Sequence, residues 1–147
     1  MSLIENKRAA FDHELLERLE AGLELLGQEV KSLRAGRASL AGARVLIRGG
    51  EAYLVGATIQ PYQAKNAPVD YDEGRNRRLL LTKKEVIKLA QAEAEKGLTI
   101  IPLSVYNKGR RLKLSLAVAR GKKRHDKRQL IKKRETEREM RRTLKTT

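Results

Sequence analysis

The sequence lacks several residue types that common kinds of functional site require. It contains no cysteine, which excludes disulfide bonds and thiolate metal ligands and is typical of proteins from a reducing cytoplasm. Its two histidines, His13 and His125, are too few for a histidine-based metal centre. We therefore predict a cytoplasmic protein with no metal and no cofactor.

Long apolar runs are also missing. No stretch approaches the ~18 apolar residues that a helix needs to span a bilayer. The first residues lack the apolar core of a signal peptide, because Ile4 is followed at once by Glu5, Asn6, Lys7 and Arg8. We expect no membrane partner.

The chain contains few residues arranged for enzymatic chemistry. It has no Gly-rich phosphate loop, and no histidine accompanies a serine in the setting of a nucleophile. Asp70, Asp72 and Glu73 form a group of acids that could hold a divalent cation in a nuclease. Basic residues flank this group, so a solvated loop is the favoured interpretation. We predict that the protein is not an enzyme.

Positive charge is abundant and unevenly placed. Lys and Arg number 33 against 18 acids, which gives a net charge of +15 and a pI near 10.4. Residues 120–147 hold 13 of these bases and 4 of the acids, a net charge of +9. Such an excess predicts a polyanionic partner, since bases that neutralise phosphates release condensed counterions. We divide the chain into a body, residues 1–119, and a basic tail, residues 120–147.

Aromatic residues are few, with one Phe and four Tyr. Proteins that read single strands stack bases on such rings, so recognition of a folded nucleic acid by charge and shape fits better. Two basic groups could contact its phosphates: the loop residues 75–78, and Lys31, Arg34 and Arg37, which share a broad face if they lie on a helix. Ordinary solvated surface is the alternative for both groups.

Hydrophobic spacing predicts the elements of the first two thirds of the chain. Residues 1–10 are a polar lead-in, and the spacing from Phe11 to Leu33 is typical of an amphipathic helix. Gly27 interrupts this pattern and leaves a helix over residues 28–35. Residues 43–59 predict a β-hairpin with Gly49-Gly50 as its turn. Thr82 and Glu85 form a capping box that begins a helix ending at Gly97.

The last part of the body is predicted to be β. A short strand covers residues 98–101 and ends at Pro102, and residues 103–107 and 111–119 form a second hairpin. The second strand of that hairpin has one apolar face, made of Leu112, Leu114, Leu116 and Val118. Strands interrupted by one capped helix predict a mainly β fold, a small closed or partly closed antiparallel barrel.

The tail has a different character. Beyond Gly121 it contains too little apolar surface to pack a helix, although helix-forming residues dominate. We predict a chain that is flexible when free and helical once its charge is neutralised. His125, a neutral ring between Arg124 and Asp126, either stacks on a base or is a plain linker residue.

Five motifs follow one another in the sequence: Asn6-Lys7-Arg8-Ala9, Glu20-Ala21-Gly22-Leu23, Gly27-Gln28-Glu29-Val30-Lys31-Ser32-Leu33-Arg34-Ala35-Gly36, Arg77-Arg78-Leu79-Leu80-Leu81 and Gly121-Lys122-Lys123-Arg124-His125-Asp126-Lys127-Arg128. In this order they resemble the bacterial SsrA-binding protein family, also called small protein B. The resemblance covers essentially the whole chain. It implies an oligonucleotide-binding-type β-barrel with two or three helices, in which residues 11–26 are mostly strand rather than helix.

The resemblance also implies a function. Members of the family bind the tRNA-like domain of transfer-messenger RNA (tmRNA) and deliver it to stalled ribosomes for trans-translation, in which the nascent chain is tagged and released. The tail enters the empty message channel of the ribosome and becomes helical there. Alanyl-tRNA synthetase and elongation factor Tu are indirect partners through the RNA, and the protein is expected to be a monomer. The alternative is a ribosomal protein with its tail embedded in ribosomal RNA.

Site residues follow from the matching positions and from the basic clusters. For tmRNA binding they are Asn6, Lys7, Arg8, Glu20, Lys31, Arg34, Arg77, Arg78, Leu80, Lys122 and Lys123. For ribosome binding they are Arg124, His125, Asp126, Lys127, Arg128, Lys132, Lys133, Arg134 and Arg138. The chain departs from the family pattern at Leu19, where an aromatic residue is usual, and at residues 70–74, which replace a His-Asp-Pro segment.

Overall fold

The computed structural model describes residues 2–63 and 70–122 of the chain. The elements in this part are β1 (Ser2–Glu5), α1 (Lys7–Asp12), β2 (His13–Leu23), α2 (Gly27–Arg34), β3 (Ala38–Ser39), β4 (Arg44–Arg48), β5 (Glu51–Val55), β6 (Thr58–Ile59), β7 (Arg77–Leu80), α3 (Lys83–Ala94), β8 (Leu98–Lys108) and β9 (Arg111–Gly121). Seven strands form one sheet in the order β1-β8-β9-β2-β7-β5-β4, and β3 pairs with β6. All pairings are antiparallel. The prediction of a mainly β fold with helices attached is confirmed.

The large sheet curls around one main core. Its edge strand β4 packs against β8, which lies near the opposite edge of the sheet. Buried side chains of β2, β4, β5, β7, β8 and β9 belong to the same cluster, together with Leu33 of α2 and Leu89 of α3. This curvature corresponds to the partly closed form of the predicted barrel.

Strand β9 supplies the centre of both faces of the sheet. Leu112, Leu114, Leu116 and Val118 point into the main core, as their alternation predicts. Ala117 and Ala119, on either side of Val118 in the sequence, point to the other face and pack with Ile101. Ala9 of α1 covers this second, smaller cluster. The helix α1 therefore lies on the outer face of the sheet.

The helix that spacing predicts for residues 11–26 is wrong, and the strand implied by the family resemblance is correct. Leu15, Leu19 and Leu23 are four residues apart, a spacing that fits one face of a strand as well as one face of a helix. In β2 these three residues are partly buried: Leu19 and Leu23 pack on the main core, whereas Leu15, beyond a register shift between Leu15 and Glu17, packs with the outer cluster. Leu16 is 44% exposed. Pairing with β9 along most of its length decides in favour of the strand.

The prediction that Pro102 ends a strand is also wrong, because β8 continues through it. Pro102 lies at a register shift opposite Leu116, beyond the last residue of β1 that pairs with β8. On the side of β8 that faces β1, the chain has already left the sheet at Asn6 and begun α1. There the carbonyl of Pro102 accepts a 3.1 Å hydrogen bond from the Asn6 side chain. The missing N–H of Pro102 consequently removes no bond from the sheet.

Two short elements within residues 1–12 are not predicted from the sequence. β1 is only four residues long and depends on its pairing with β8, in which Ile4 lies opposite Val105. α1 begins at Asn6, whose side-chain oxygen accepts a hydrogen bond from the amide of Ala9. Both elements need tertiary partners, which local spacing does not indicate.

The remaining local predictions are confirmed with small shifts of boundary. Gly49 and Gly50 have φ angles of 60° and 76° and join β4 to β5. Thr82 and Glu85 make both hydrogen bonds of the capping box at the start of α3, which ends at Ala94 rather than at Gly97. At the other end of α3, Glu93 accepts a 2.7 Å hydrogen bond from the amide of Ile47 and so attaches the helix to edge strand β4.

Strand β9 runs beyond the predicted end of the body at residue 119. Gly121 pairs with His13, and the amide of Lys122 donates to the carbonyl of Asp12 at 2.9 Å. Residues 120–122 therefore belong to the folded body. The predictions for residues 123–147 lie outside the described residues, and so does residue range 64–69. The predicted site residues in the first of these ranges are Lys123, Arg124, His125, Asp126, Lys127, Arg128, Lys132, Lys133, Arg134 and Arg138.

Candidate nucleic-acid interface

Helix α2 carries two of the predicted RNA-binding residues and is held in place by a buried ion pair. Glu29, in its first turn, and Arg77, in β7, are both 0% exposed. The guanidinium of Arg77 donates to the carboxylate of Glu29 at 2.7 and 3.1 Å and to the carbonyl of Ala57 at 3.0 Å. The guanidinium of Arg77 thus makes its hydrogen bonds inside the protein, which is at odds with the prediction that Arg77 contacts RNA directly.

The same carboxylate collects further donors from the segment before β7. Arg75 forms a second ion pair with Glu29, and the Tyr71 hydroxyl lies 3.1 Å from it. Burial alone would raise the pKa of Glu29, but hydrogen bonds from Arg75, the Leu26 amide and Arg77 outweigh it and hold the pKa at about 2. Burial, together with the neighbouring Glu29 charge, raises the pKa of Tyr71. Glu29 is therefore ionised, and fully hydrogen-bonded, at any physiological pH.

The exposed face of α2 presents its basic side chains to solvent. The Nζ atom of Lys31 lies 5.9 Å from the ring centroid of Tyr62, a cation–π distance. Arg34 donates to the carbonyl of Arg110 at 3.0 Å, which brings the end of α2 against the turn between β8 and β9. Arg37, just past the helix, donates to the carbonyl of Tyr62. The helix and the β8–β9 turn therefore form one continuous basic surface.

A groove runs beside this surface, and we call it the Leu80 groove. Its volume is about 440 Å³, its walls are mainly apolar and its rim is basic. Leu80, at the end of β7, is 49% exposed there. The groove is lined by Gly22, Leu23, Leu25, Val30, Leu80, Arg110, Arg111, Leu112 and Lys113.

Glu20 lies on β2 near the same end of the sheet. Its carboxylate accepts hydrogen bonds from the Tyr106 hydroxyl and, at 2.9 Å, from the Lys108 ammonium. The bond from Tyr106, followed by that from Lys108, lowers the pKa of Glu20. Burial, then the bond to Glu20, raises the pKa of Tyr106 to about 12. The Glu20 carboxylate is thus paired with a cation, and it orients two donors.

Arg78 is less available than its exposure suggests. Its side chain is 46% exposed, and its guanidinium lies between the carboxylates of Glu24 and Glu51. The bond from Glu51 is the main reason that the pKa of Arg78 is raised. Exposed ion pairs of this kind are weak, so a phosphate can compete for the guanidinium.

Asn6, Lys7 and Arg8 lie elsewhere. The amide of the Asn6 side chain donates to the carbonyls of Leu40 and Pro102, and its oxygen caps α1, so this buried residue holds the helix to the sheet. Lys7 and Arg8 are exposed on α1, which covers Ala117 and Ala119, the half of β9 that leads to Lys122. The structure does not bring them to the Leu80 groove.

The tail leaves the body far from the groove. Lys113, on the groove rim, and Gly121, the last residue of β9, are eight residues apart on one continuous strand. At about 3.3 Å per residue they are separated by roughly 26 Å. Beyond Gly121, the Nζ atom of Lys122 lies 5.9 Å from the ring centroid of Phe11, which fixes the start of the tail against α1.

Comparison with known proteins shows which family the chain belongs to. A family model for the SmpB protein matches residues 3–146. The chain belongs to the SmpB family. A SmpB relative from Thermosynechococcus vestitus, named SsrA-binding protein, is 49% identical over 143 residues, which cover 97% of this chain and 94% of its own length.

Further SmpB relatives include the SsrA-binding protein from Gloeothece citriformis, 47% identical over 97% of this chain and 92% of its own length. A solved structure described as "tmRNA-SmpB: a journey to the center of the bacterial ribosome" superposes with a TM-score of 0.69 at 42% identity. The superposition covers 87% of this chain and 93% of the chain in that structure. The SmpB fold is therefore the fold of this chain.

Sequence reasoning missed several residues of this SmpB surface. Arg110, Arg111 and Lys113 form the groove rim, and their position in a predicted hairpin turn and on the polar side of β9 could have indicated them. Glu29 and Tyr106 gave no such signal, because their roles depend on partners 48 and 86 residues away in sequence.

The acids at residues 70–73 do not form a metal site. Within residues 2–63 and 70–122, no three His, Cys, Asp or Glu side chains converge as metal ligands. The Asp72 carboxylate instead accepts a 2.9 Å hydrogen bond from the amide of Gly74, a local turn contact. In the same part of the chain, no helix is long and apolar enough to cross a membrane.

Proposed function

We propose that this SmpB family member is a cytoplasmic RNA-binding adaptor that binds the tRNA-like domain of tmRNA and delivers it to stalled ribosomes for trans-translation. The observation that carries the proposal is the presence of two basic elements at opposite ends of β9, the Leu80 groove and the tail. An adaptor must hold two partners at once, and a separation of roughly 26 Å allows this. The names of its relatives, SsrA-binding protein, support the RNA partner.

The Leu80 groove is the proposed site for the tRNA-like domain. Lys31, Arg34 and the rim residues supply charge for phosphates, while Leu80 offers apolar contact to a sugar or an unpaired base. Phosphate contacts of this kind provide affinity without reading sequence, which suits an RNA recognised by its shape. Glu20 contributes by orienting Tyr106 and Lys108 rather than by meeting phosphate itself.

The tail is the proposed ribosome-binding element. Residues 123–147 carry 11 Lys or Arg against 4 acids, a net charge of +7. A channel walled by ribosomal RNA attracts such a segment, and neutralisation of its charge permits the helix that its composition favours. Within it, His125, Asp126, Lys127 and Arg128 remain the predicted contacts at the decoding centre. The adaptor itself catalyses no step, and alanyl-tRNA synthetase and elongation factor Tu act through the RNA.

Removing one element at a time tests this division. A chain ending at Lys122 keeps the bond from Lys122 to Asp12 and should bind the tRNA-like domain nearly as well as the full chain, but should support no tagging on stalled ribosomes. The full chain with Lys31→Ala and Arg34→Ala should instead lose affinity for the tRNA-like domain. Filter binding and a reconstituted tagging assay measure the two activities. Equal loss of RNA affinity in both variants would contradict the proposal.

A further inference from the structure

The Glu29–Arg77 pair places two full charges in the interior of a small protein. Buried pairs of this kind are often no more stabilising than apolar side chains of similar volume, because desolvation offsets the attraction. Both side chains are 0% exposed, and among residues 2–63 and 70–122 no buried side-chain polar atom lacks a hydrogen-bond partner. The pair is therefore complete, but stability alone does not explain why it is charged.

The pair holds α2 in a defined orientation relative to β7. The Glu29 carboxylate accepts from the Leu26 amide at the start of α2, from Arg77 in β7, and from Arg75 before β7. Arg77 continues to the carbonyl of Ala57, beyond β5. Apolar contacts could not orient α2 so well, because its fully buried side chains are Glu29, Ser32 and Leu33, only one of which is apolar.

The basic residues lie on the opposite side of the helix. At about 100° per residue, Lys31 is about 200° and Arg34 about 140° around the axis from Glu29. The buried carboxylate is thus diametrically opposite the midpoint between the two basic side chains. A rotation of α2 by about 20° would move a side-chain end some 5 to 6 Å from the axis by about 2 Å, enough to break a hydrogen bond to a phosphate.

We propose that the Glu29–Arg77 pair is a positioning device that fixes the rotation of α2, so that Lys31 and Arg34 face the same RNA as the rim of the Leu80 groove. This inference rests on the proposed function. Glu29 and Arg77 touch no RNA; they act through Lys31 and Arg34. Loss of the pair removes the phosphate contacts of α2 while the rest of the groove remains.

The salt dependence of binding tests this in the full chain. The probe is a transcript of the tRNA-like domain of tmRNA, and the readout is the slope of log affinity against log salt concentration, which counts phosphate contacts. Lys31→Ala with Arg34→Ala should reduce the slope by about 2. Glu29→Gln should reduce it by a similar amount, and the triple variant should lose no more than either. A loss of stability alone would not change this slope.

Two further variants complete the experiment. Glu93→Gln is the matched control, because Glu93 attaches α3 to β4 through the Ile47 amide but lies on no face of α2; its slope should equal that of the unaltered protein. Glu29→Met with Arg77→Met removes both charges and should fold, yet lose the same part of the slope as Glu29→Gln.

The outcomes separate the two proposals. If Lys31→Ala with Arg34→Ala leaves the slope unchanged, the proposed RNA site on α2 is wrong. If that variant lowers the slope but Glu29→Gln and the paired Met variant do not, or if their losses add to it, the positioning role is overturned. Failure of both to fold, as seen by circular dichroism, also overturns it, because the pair would then be required for the fold itself.

Discussion

Protonation of Glu29 is expected to remove about 3 kcal/mol from the folding free energy of this protein. Its pKa is about 2 in the folded state against an ordinary value of 4.5. Each unit of pKa shift corresponds to about 1.4 kcal/mol. Because the folded-state pKa is lowered, the stabilisation is fully present above pH 4.5 and is lost as the pH falls from 4.5 towards 2. That loss is large against the 5 to 15 kcal/mol typical of a domain.

Urea unfolding at several pH values between 7 and 2.5, followed by circular dichroism, measures the effect. Other acids also titrate in this range, so the variant with Met at both positions 29 and 77 is the reference. The unaltered protein should lose about 2.5 kcal/mol more than this variant on going from pH 7 to pH 2.5, because pH 2.5 is still slightly above the folded-state pKa of about 2. Parallel loss of stability in the two proteins would refute the assignment of the acid sensitivity to Glu29.

Two substitutions test local packing and capping. A Cβ atom at Gly22 would lie 3.1 Å from the Cβ of Leu80. Gly22→Ala should therefore displace Leu80 and lower the free energy of unfolding, measured in urea, by about 1 to 3 kcal/mol. Unchanged stability and RNA affinity would contradict this close approach. Thr82→Ala removes the side-chain acceptor of the Glu85 amide and should lower the free energy of unfolding by about 1 kcal/mol, whereas Thr82→Ser should keep most of that stability. Equal stability of these two variants would argue against the cap.

Local chemistry made much of the fold predictable. The Gly49-Gly50 turn and the Thr82 capping box require particular residues at fixed spacing, and both occur where the sequence indicates. The alternation along β9 likewise identified its buried face. The strand β2 was different, because its leucines fit two periodicities and only pairing with β9 selects one.

The candidate site was less predictable for a related reason. A basic residue in the sequence looks the same whether it faces solvent, as Lys31 does, or a buried carboxylate, as Arg77 does. The distinction depends on Glu29, which is 48 residues from Arg77 in sequence. Charge composition indicated the class of partner, but it did not indicate which side chains meet that partner.

The length of β9 constrains how proteins of this fold can diverge. Side chains alternate between the faces of a strand, so inserting one residue between Lys113 and Gly121 would turn part of the Leu114–Val118 face out of the core. Two residues inserted together would preserve that face and lengthen the strand by about 7 Å. In a regular strand, the distance between the groove and the tail therefore changes in steps of about that size, matched by similar insertions in both neighbouring strands, β2 and β8.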